Sequence, residues 1–388
     1  MTTAQIERFS PAGQPERIDA SLRALASEIS DEAPELLPRL RALLPEGNLD
    51  GDTAPPASAE AAALFPVPNY DSHPYYRDFA RPDADLRAQA ADRFFDAFTG
   101  LVHAEQAIAR RAAKSEPGTI PSEALKALQD DGVWRFRLTP SELAETLERS
   151  EPAAQALEAR RLSLSPDQRG VEGVLQLLAE HSSPGADLEF YDGLLRSHGV
   201  YETLERYYGC PFRLLAVNLQ INSGDDTGIA RACSYPDGRR APSYYMHIDS
   251  AVGVLKILMY RSGPITADTG AFRYLPGSHK ALDPVQRAIR KASDKARFDG
   301  LKDDTRALFM ALPPALRRKA NFGNDLLEET GADTDLLLDR EVSLEGEAGE
   351  GFLADINGVH RGNLHADPTG RREMFKFVLK AGKQDLRA

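Results

Sequence analysis

At 388 residues, 42% hydrophobic and 27% charged, the chain is long enough for one large domain or two moderate ones of ordinary globular composition. Its net charge of −12 argues against a nucleic-acid partner or an anionic membrane surface, which demand clustered positive charge, so a small molecule is the expected partner. Two cysteines, Cys210 and Cys233, cannot make a disulfide framework at this size; no stretch approaches the roughly 18 apolar residues of a membrane span, and the first residues carry no signal-like pattern, so a reducing, cytoplasmic location is expected.

Residues 1–125 are helical in pattern. Ile18, Leu22, Leu25 and Ile29, then Leu36, Leu37, Leu40, Leu43 and Leu44, recur at helical spacing. The Gly-, Asp- and Pro-rich run from Gly47 to Ser58 reads as a linker, and Phe65 to Tyr76 as an ordered loop rich in proline and aromatics. An Ala- and Arg-rich run from Pro82 to Lys114 predicts a long helix. Thr139-Pro-Ser-Glu142 and Ser165-Pro-Asp-Gln168 have the form of capping boxes with proline at the first helical position, so a helix should start at each.

A β-rich part opens at Phe212, where apolar and amide side chains alternate through Asn222. Val217, Leu219 and Ile221 form one face, and Asn218, Gln220 and Asn222 the other. The amide face is either an outer, solvated one or one that hydrogen-bonds a small molecule inside a barrel. Ala251–Tyr260 predicts a second apolar strand, whose Lys256 is read as reaching to solvent. Residues 281–346 turn helical and charged again; an insertion this long between two motifs that should be spatial neighbours is expected to be a lid over the substrate.

The most informative residues are His247-Ile-Asp249 and the later His360. Two imidazoles and a carboxylate are the ligand set of a mononuclear non-haem iron site with open positions. His247 and Asp249 are two residues apart, so on a strand both side chains leave by one face. His360 follows 111 residues after Asp249, and must come from a strand that a closed or double-sheet β architecture brings alongside. Arg371, eleven residues after His360 and followed by Arg372, opens a strand of aromatic and β-branched character, where a guanidinium could grip a carboxylate with paired hydrogen bonds. Between the ligand segments, Thr269-Gly-Ala-Phe-Arg-Tyr-Leu-Pro-Gly-Ser-His279 reads as a short strand closed by a tight turn. His279 is a second candidate for the third ligand, though it sits on that turn. The helical-half histidines His73, His103, His181 and His198 read as structural.

This order of motifs, His-x-Asp, then Gly-Ala-x-x-x-x-Pro-Gly-Ser-His, then a distal His with Arg eleven residues on, resembles the phytanoyl-CoA dioxygenase family of iron(II)- and 2-oxoglutarate-dependent oxygenases. The resemblance covers roughly residues 128–380, and Gln129-Asp-Asp-Gly-Val-Trp134 before Leu138-Thr-Pro is similar to the family's entry. It implies an α+β fold: a double-stranded β-helix (jelly roll, cupin-like) core over residues 126–388, with the helical region 1–125 in front and the helical insertion 281–346 within it. His247, Asp249 and His360 would bind iron(II), and Arg371 would hold the distal carboxylate of 2-oxoglutarate, with Gln220, Asn222 and Thr269 as further contacts to that cosubstrate. The activity implied is an O2-dependent oxidation, usually hydroxylation, of a C–H bond, with decarboxylation of 2-oxoglutarate to succinate. The presence of Asp249 disfavours the halogenating branch of this chemistry. Where many members carry Ser, Thr or Asn just after the distal histidine, this chain offers Asn363. Arg231, Arg239, Arg240, Arg261, Arg273 and Arg361 point weakly to an anionic substrate. A cupin-like protein that keeps the metal for sensing or structure is the alternative, but it leaves the arginine clamp without a use.

Overall fold

A computed structural model of the protein describes residues 11, 13–55, 58, 63–65, 79, 82–113, 123–165, 175–180, 186–224, 246–249, 251–296, 303–320, 339–362 and 369–382. Helices alternate with strands that all pair antiparallel, as an α+β chain should. Nine strands are found among the described residues: β1 (Val133–Arg137), β2 (Leu175–Glu180), β3 (Phe212–Ser223), β4 (Val254–Tyr260), β5 (Arg273–Tyr274), β6 (Val342–Ser343), β7 (Glu350–Ala354), β8 (His360–Arg361) and β9 (Arg371–Ala381). Six of them form one sheet in the order β1-β7-β4-β9-β3-β2, and β6-β5-β8 form a second. An antiparallel bridge from His247 to His360 extends the second sheet by one more segment.

The large sheet has two apolar faces with different partners, which the period-two alternation makes possible. Its outer face, with Val217, Leu219 and Ile221 of β3, Leu255, Ile257 and Met259 of β4, and Phe375, Phe377 and Leu379 of β9, packs on a helical layer that includes Tyr191, Leu195, Leu204 and Tyr208. Its inner face, through Leu258, Tyr260, Phe352 and Met374, packs against Tyr274 of the small sheet and Leu344 just after β6. Each buried aromatic on these faces contributes about 1.5–3 kcal/mol by removal from water.

The outer layer begins where the sequence says it should. Thr139 caps the helix Pro140–Ser163: its hydroxyl accepts from Glu142 N–H at 3.3 Å, and its own N–H donates to Glu142 Oε2 at 2.8 Å. Glu142 also meets His198 Nε2 at 3.1 Å, so His198 is structural as expected. The Ser165 box extends over residues outside the described set. Strand β2 (Leu175–Glu180) ends the large sheet beside β3, and the helices Ala186–Ser197 and Val200–Tyr208 belong to this outer layer.

A second helical layer includes the described helical part of residues 281–346, the segment expected to be a lid. The helices Pro15–Ile29 and Ala84–Ala112, close to the spans predicted, share a single apolar core with Val285, Ala288, Ile289 and Ala292 of the insertion helix Pro284–Lys295 and with Leu308 to Leu316. The N-terminal region and the described part of the insertion, expected as separate pieces, are thus one body. A buried ion pair crosses it: Arg287 donates to Glu105 at 3.4 Å and to the carbonyls of Leu282 and Pro11. The cause is the insertion helix's composition, which is apolar on one face and carries buried, paired cations on the other. The insertion's described helices pack on the N-terminal helices; residues 297–302 and 321–338 of the insertion are not among those described.

Candidate metal centre

His247, Asp249 and His360 each place one ligand atom within 4.8 Å of the others, and they are the one such group of His, Cys, Asp or Glu among the described residues. Two exchanged backbone bonds bring them together: His247 N–H to the His360 carbonyl at 2.9 Å, and His360 N–H to the His247 carbonyl at 2.8 Å. A third, from Asp249 N–H to the Ile356 carbonyl at 3.2 Å, sets the carboxylate beside the second histidine. Asp249 Oδ1 lies 3.8 Å from His247 Nε2 and 3.6 Å from His360 Nε2.

The donor chemistry fits a divalent cation. His360 Nδ1 lies 2.9 Å from the Gly358 carbonyl, which can only accept, so Nδ1 carries a proton and Nε2 is the nitrogen turned toward Asp249, the one that would ligate a cation. Burial alone would raise the Asp249 carboxyl, but the His360 imidazole, then Lys256 and His247, hold it well below the usual carboxylate range. The outer oxygen, Oδ2, is ion-paired with the Lys256 ammonium. Lys256 therefore turns inward beside the triad, not out to solvent as its place in an apolar strand suggested. Period two settles this: Lys256 shares the inner face with Leu258 and Tyr260.

The Pro-Gly-Ser-His turn serves the centre indirectly. Ser278 Oγ donates to the Leu275 carbonyl at 2.7 Å and accepts from Val359 N–H at 2.7 Å, pinning the residue just before His360. His279 itself is buried against Gly132, outside the triad, and burial pushes its imidazole down to about 4. Gly358 can only be glycine, because a Cβ there would meet the Tyr274 hydroxyl, which donates to the Asp355 carbonyl at 2.9 Å.

Beneath the ligand segments lies a buried polar network with no signal at the level of motifs. Asp355 accepts from the Tyr207 hydroxyl at 2.9 Å and from the Asn357 amide at 2.8 Å; the same amide also donates to Tyr208 at 3.0 Å. Lys291, on the insertion helix and 1% exposed, donates to the Ala251 carbonyl at 2.6 Å and to Asn357 Oδ1 at 2.7 Å. One ammonium thus joins the segment after Asp249 to the segment before His360. Only its position mid-helix in a charged stretch preceded it in sequence, and that marks no role.

The residues expected to hold a cosubstrate divide between the two faces of the large sheet. Gln220 pairs with Met374, Asn222 with Arg372 and Asn218 with Lys376, so the amide row faces inward. Arg371 faces the other way. Its Nε lies 2.8 Å from Glu373 and its Nη1 3.0 Å from Glu158 on the outer layer, and Arg161, ahead of Arg371, brings the Glu158 carboxyl down to about 2. The neighbouring Arg372 is the inward one: it is 5% exposed and donates to Asn222 Oδ1 at 2.8 Å and to the Gly270 carbonyl. In this register Arg372, and not Arg371 as expected, lies on the inner face. The Thr269 hydroxyl accepts from Thr266 N–H at 2.8 Å and shapes the turn that presents Gly270 to Arg372. Of the arginines that suggested an anionic ligand, Arg261 is paired with Glu151 and Glu373, and Arg273 and Arg361 with Glu341. Arg231, Arg239, Arg240 and Asn363, together with Cys233, His73 and His181, fall outside the described residues.

No family model and no curated protein matches the chain. Among solved structures it is similar to the non-haem α-ketoglutarate-dependent epimerase SnoN from nogalamycin biosynthesis, at 15% identity over 66% of this chain and 82% of that one, with a TM-score of 0.36. It is also similar to EctD from S. alaskensis, solved with 2-oxoglutarate and 5-hydroxyectoine (15%, 72% and 86%, TM-score 0.42). HygX from Streptomyces hygroscopicus, solved with nickel and 2-oxoglutarate, gives 14%, 70% and 95%, with a TM-score of 0.38. Among the described residues no helix is long and apolar enough to cross a membrane.

Proposed function

We propose that the protein is an iron(II)- and 2-oxoglutarate-dependent oxygenase of the phytanoyl-CoA dioxygenase type, built on a double-stranded β-helix and acting on a small organic molecule. The observation that carries this reading is the joint placement of the His247, Asp249 and His360 ligand atoms on one side and a buried, inward-facing Arg372 on the other. The strand order supports it: β3-β9-β4-β7 in the large sheet, and the His247 segment with β8-β5-β6 in the small one, pack across one apolar interior.

Iron(II) at the triad would let O2 react with 2-oxoglutarate, one oxygen atom going to succinate as CO2 leaves and the other to a substrate C–H bond, giving an alcohol. The protein's part is binding and orientation. The Arg372 guanidinium, pre-aimed by Asn222 and the Gly270 carbonyl, would receive the distal carboxylate of the cosubstrate as a two-point, charge-assisted pair. Lys256 holds the outer oxygen of Asp249 and so presents Oδ1 to the two histidines. The Gly358 carbonyl keeps the proton of His360 on Nδ1. Phe272, with its ring centroid 5.3 Å from that of His360, packs beside the distal ligand.

The test is direct. Protein loaded with iron(II) should bind 2-oxoglutarate and, in air, release succinate slowly without any added substrate. Protein that takes up the metal yet binds no 2-oxoglutarate would refute the oxygenase reading and leave a metal-binding cupin.

A further inference from the structure

Lys376 and Lys256 occupy the same inner face of adjacent strands. Lys376 stands opposite Leu258 on one side and Asn218 on the other, and Lys256 is two residues from Leu258 on β4, so the two ammonium groups are diagonal neighbours. Like charges so placed repel, and half-burial makes the repulsion more costly than at a solvated surface. Lys256 has the Asp249 carboxylate as its partner. Among the described residues no ion pair or side-chain hydrogen bond of Lys376 accompanies it; the Asn218 amide bonds the backbone carbonyl of Lys376, and the nearest acidic residue on β9, Glu373, is on the outer face with Arg261 and Arg371. Burial, then the charge of Lys256, lowers the affinity of Lys376 for its proton, while Asp249 is close enough to oppose them.

We infer that Lys376, with Lys256, forms an anion-binding subsite beside the metal centre, and that the substrate carries a carboxylate, sulfonate or phosphate group that docks there. The inference rests on the oxygenase reading, because charge balance supplies part of the argument. A divalent cation at the triad with Lys256, Lys376 and Arg372 makes five positive charges around one interior. Asp249 and the two carboxylates of 2-oxoglutarate make three negative ones. Two positive charges remain, and both lie on the lysine side of the metal, because Arg372 is four residues along β9 from Lys376 and is occupied by the cosubstrate in that reading. A lysine ammonium is a compact point charge on a flexible stem, suited to anions of several shapes, unlike the planar fork of Arg372. The arginines that first suggested an anionic ligand are neutralised by carboxylates where they are described, as Lys256 is by Asp249, whereas no ion pair of Lys376 is found among the described residues.

The experiment uses the full chain loaded with nickel(II), in place of iron, and saturated with 2-oxoglutarate. Inorganic sulfate, a weak metal ligand, is titrated by calorimetry against wild type, Lys376→Gln and Lys376→Arg, with 2-oxoglutarate affinity and thermal melting measured in parallel. Sulfate should bind wild type, bind Lys376→Gln at least about tenfold more weakly, and recover with Lys376→Arg, while 2-oxoglutarate affinity stays within about twofold throughout. Equal sulfate affinity in wild type and Lys376→Gln, or a loss of 2-oxoglutarate affinity matching the loss of sulfate, would overturn the subsite. Failure of wild type to bind nickel and 2-oxoglutarate would instead bring down the oxygenase reading, and the inference with it.

Discussion

Lys291→Met separates the roles of fold and site. Methionine keeps the length of the lysine stem but removes the ammonium that joins the Ala251 carbonyl to Asn357 Oδ1. Leaving two buried acceptors short of a donor costs about 1–3 kcal/mol each. Against this stands a relief: burial, the largest influence on this group, lowers the Lys291 ammonium from 10.5 to about 8, equivalent to roughly 3 kcal/mol spent on keeping it charged. The two acceptors together cost about 2–6 kcal/mol, so after the relief global stability in urea should change by no more than about 3 kcal/mol. Metal affinity should not be spared. The segments carrying Asp249 and His360 lose their shared tie, and partners outside the ligand shell typically contribute 10–100-fold to metal affinity. Calorimetric titration with nickel(II) should therefore show at least about tenfold weaker binding, with a cobalt(II) absorption spectrum altered in position or intensity. Unchanged affinity and spectrum, with stability preserved, would refute the view that the insertion helix holds the metal centre in register.

Asp249→Ala and His360→Ala should each abolish stoichiometric metal uptake measured by elemental analysis, whereas His279→Ala should leave uptake intact, since His279 lies outside the triad. Arg372→Ala should weaken 2-oxoglutarate binding by at least about a hundredfold, the loss of a shielded bidentate pair, while Arg371→Ala changes it less than about threefold; the reverse order in a titration would restore Arg371 as the clamp. Glu158 contributes stability above its ordinary value of 4.5 that is lost as pH falls from there toward about 2, because its carboxyl is lowered by Arg161 and Arg371 and must be protonated in the fold. Acid unfolding of Glu158→Gln should lack that part of the pH dependence, up to roughly 3 kcal/mol, and an unaltered pH profile would show that the outer-face pairing of Arg371 is not formed in solution.

Local chemistry made much of this protein readable from its sequence. The capping box at Thr139, the long helix ending at Ala112, the alternation along β3 and the His-x-Asp spacing all depend on neighbours within a few residues, where covalent geometry dictates the outcome. The candidate site was legible to the same extent: one strand-like segment offers His247 and Asp249, and the distal His360 meets them through a single antiparallel bridge. What tertiary structure alone decided is which face of a doubly buried strand looks inward. Arg371 and Arg372 are adjacent, and either could face the centre until the pairing Asn222 with Arg372 and Tyr260 with Met374 sets the phase of β9. Lys256 looked like a charge seeking solvent because β4 is apolar on both faces, and only the second sheet shows that its inner face borders the triad. Lys291 meets Ala251 across 40 residues and Asn357 across 66, contacts that no periodicity encodes, because they exist only once the insertion helix is packed on the N-terminal helices.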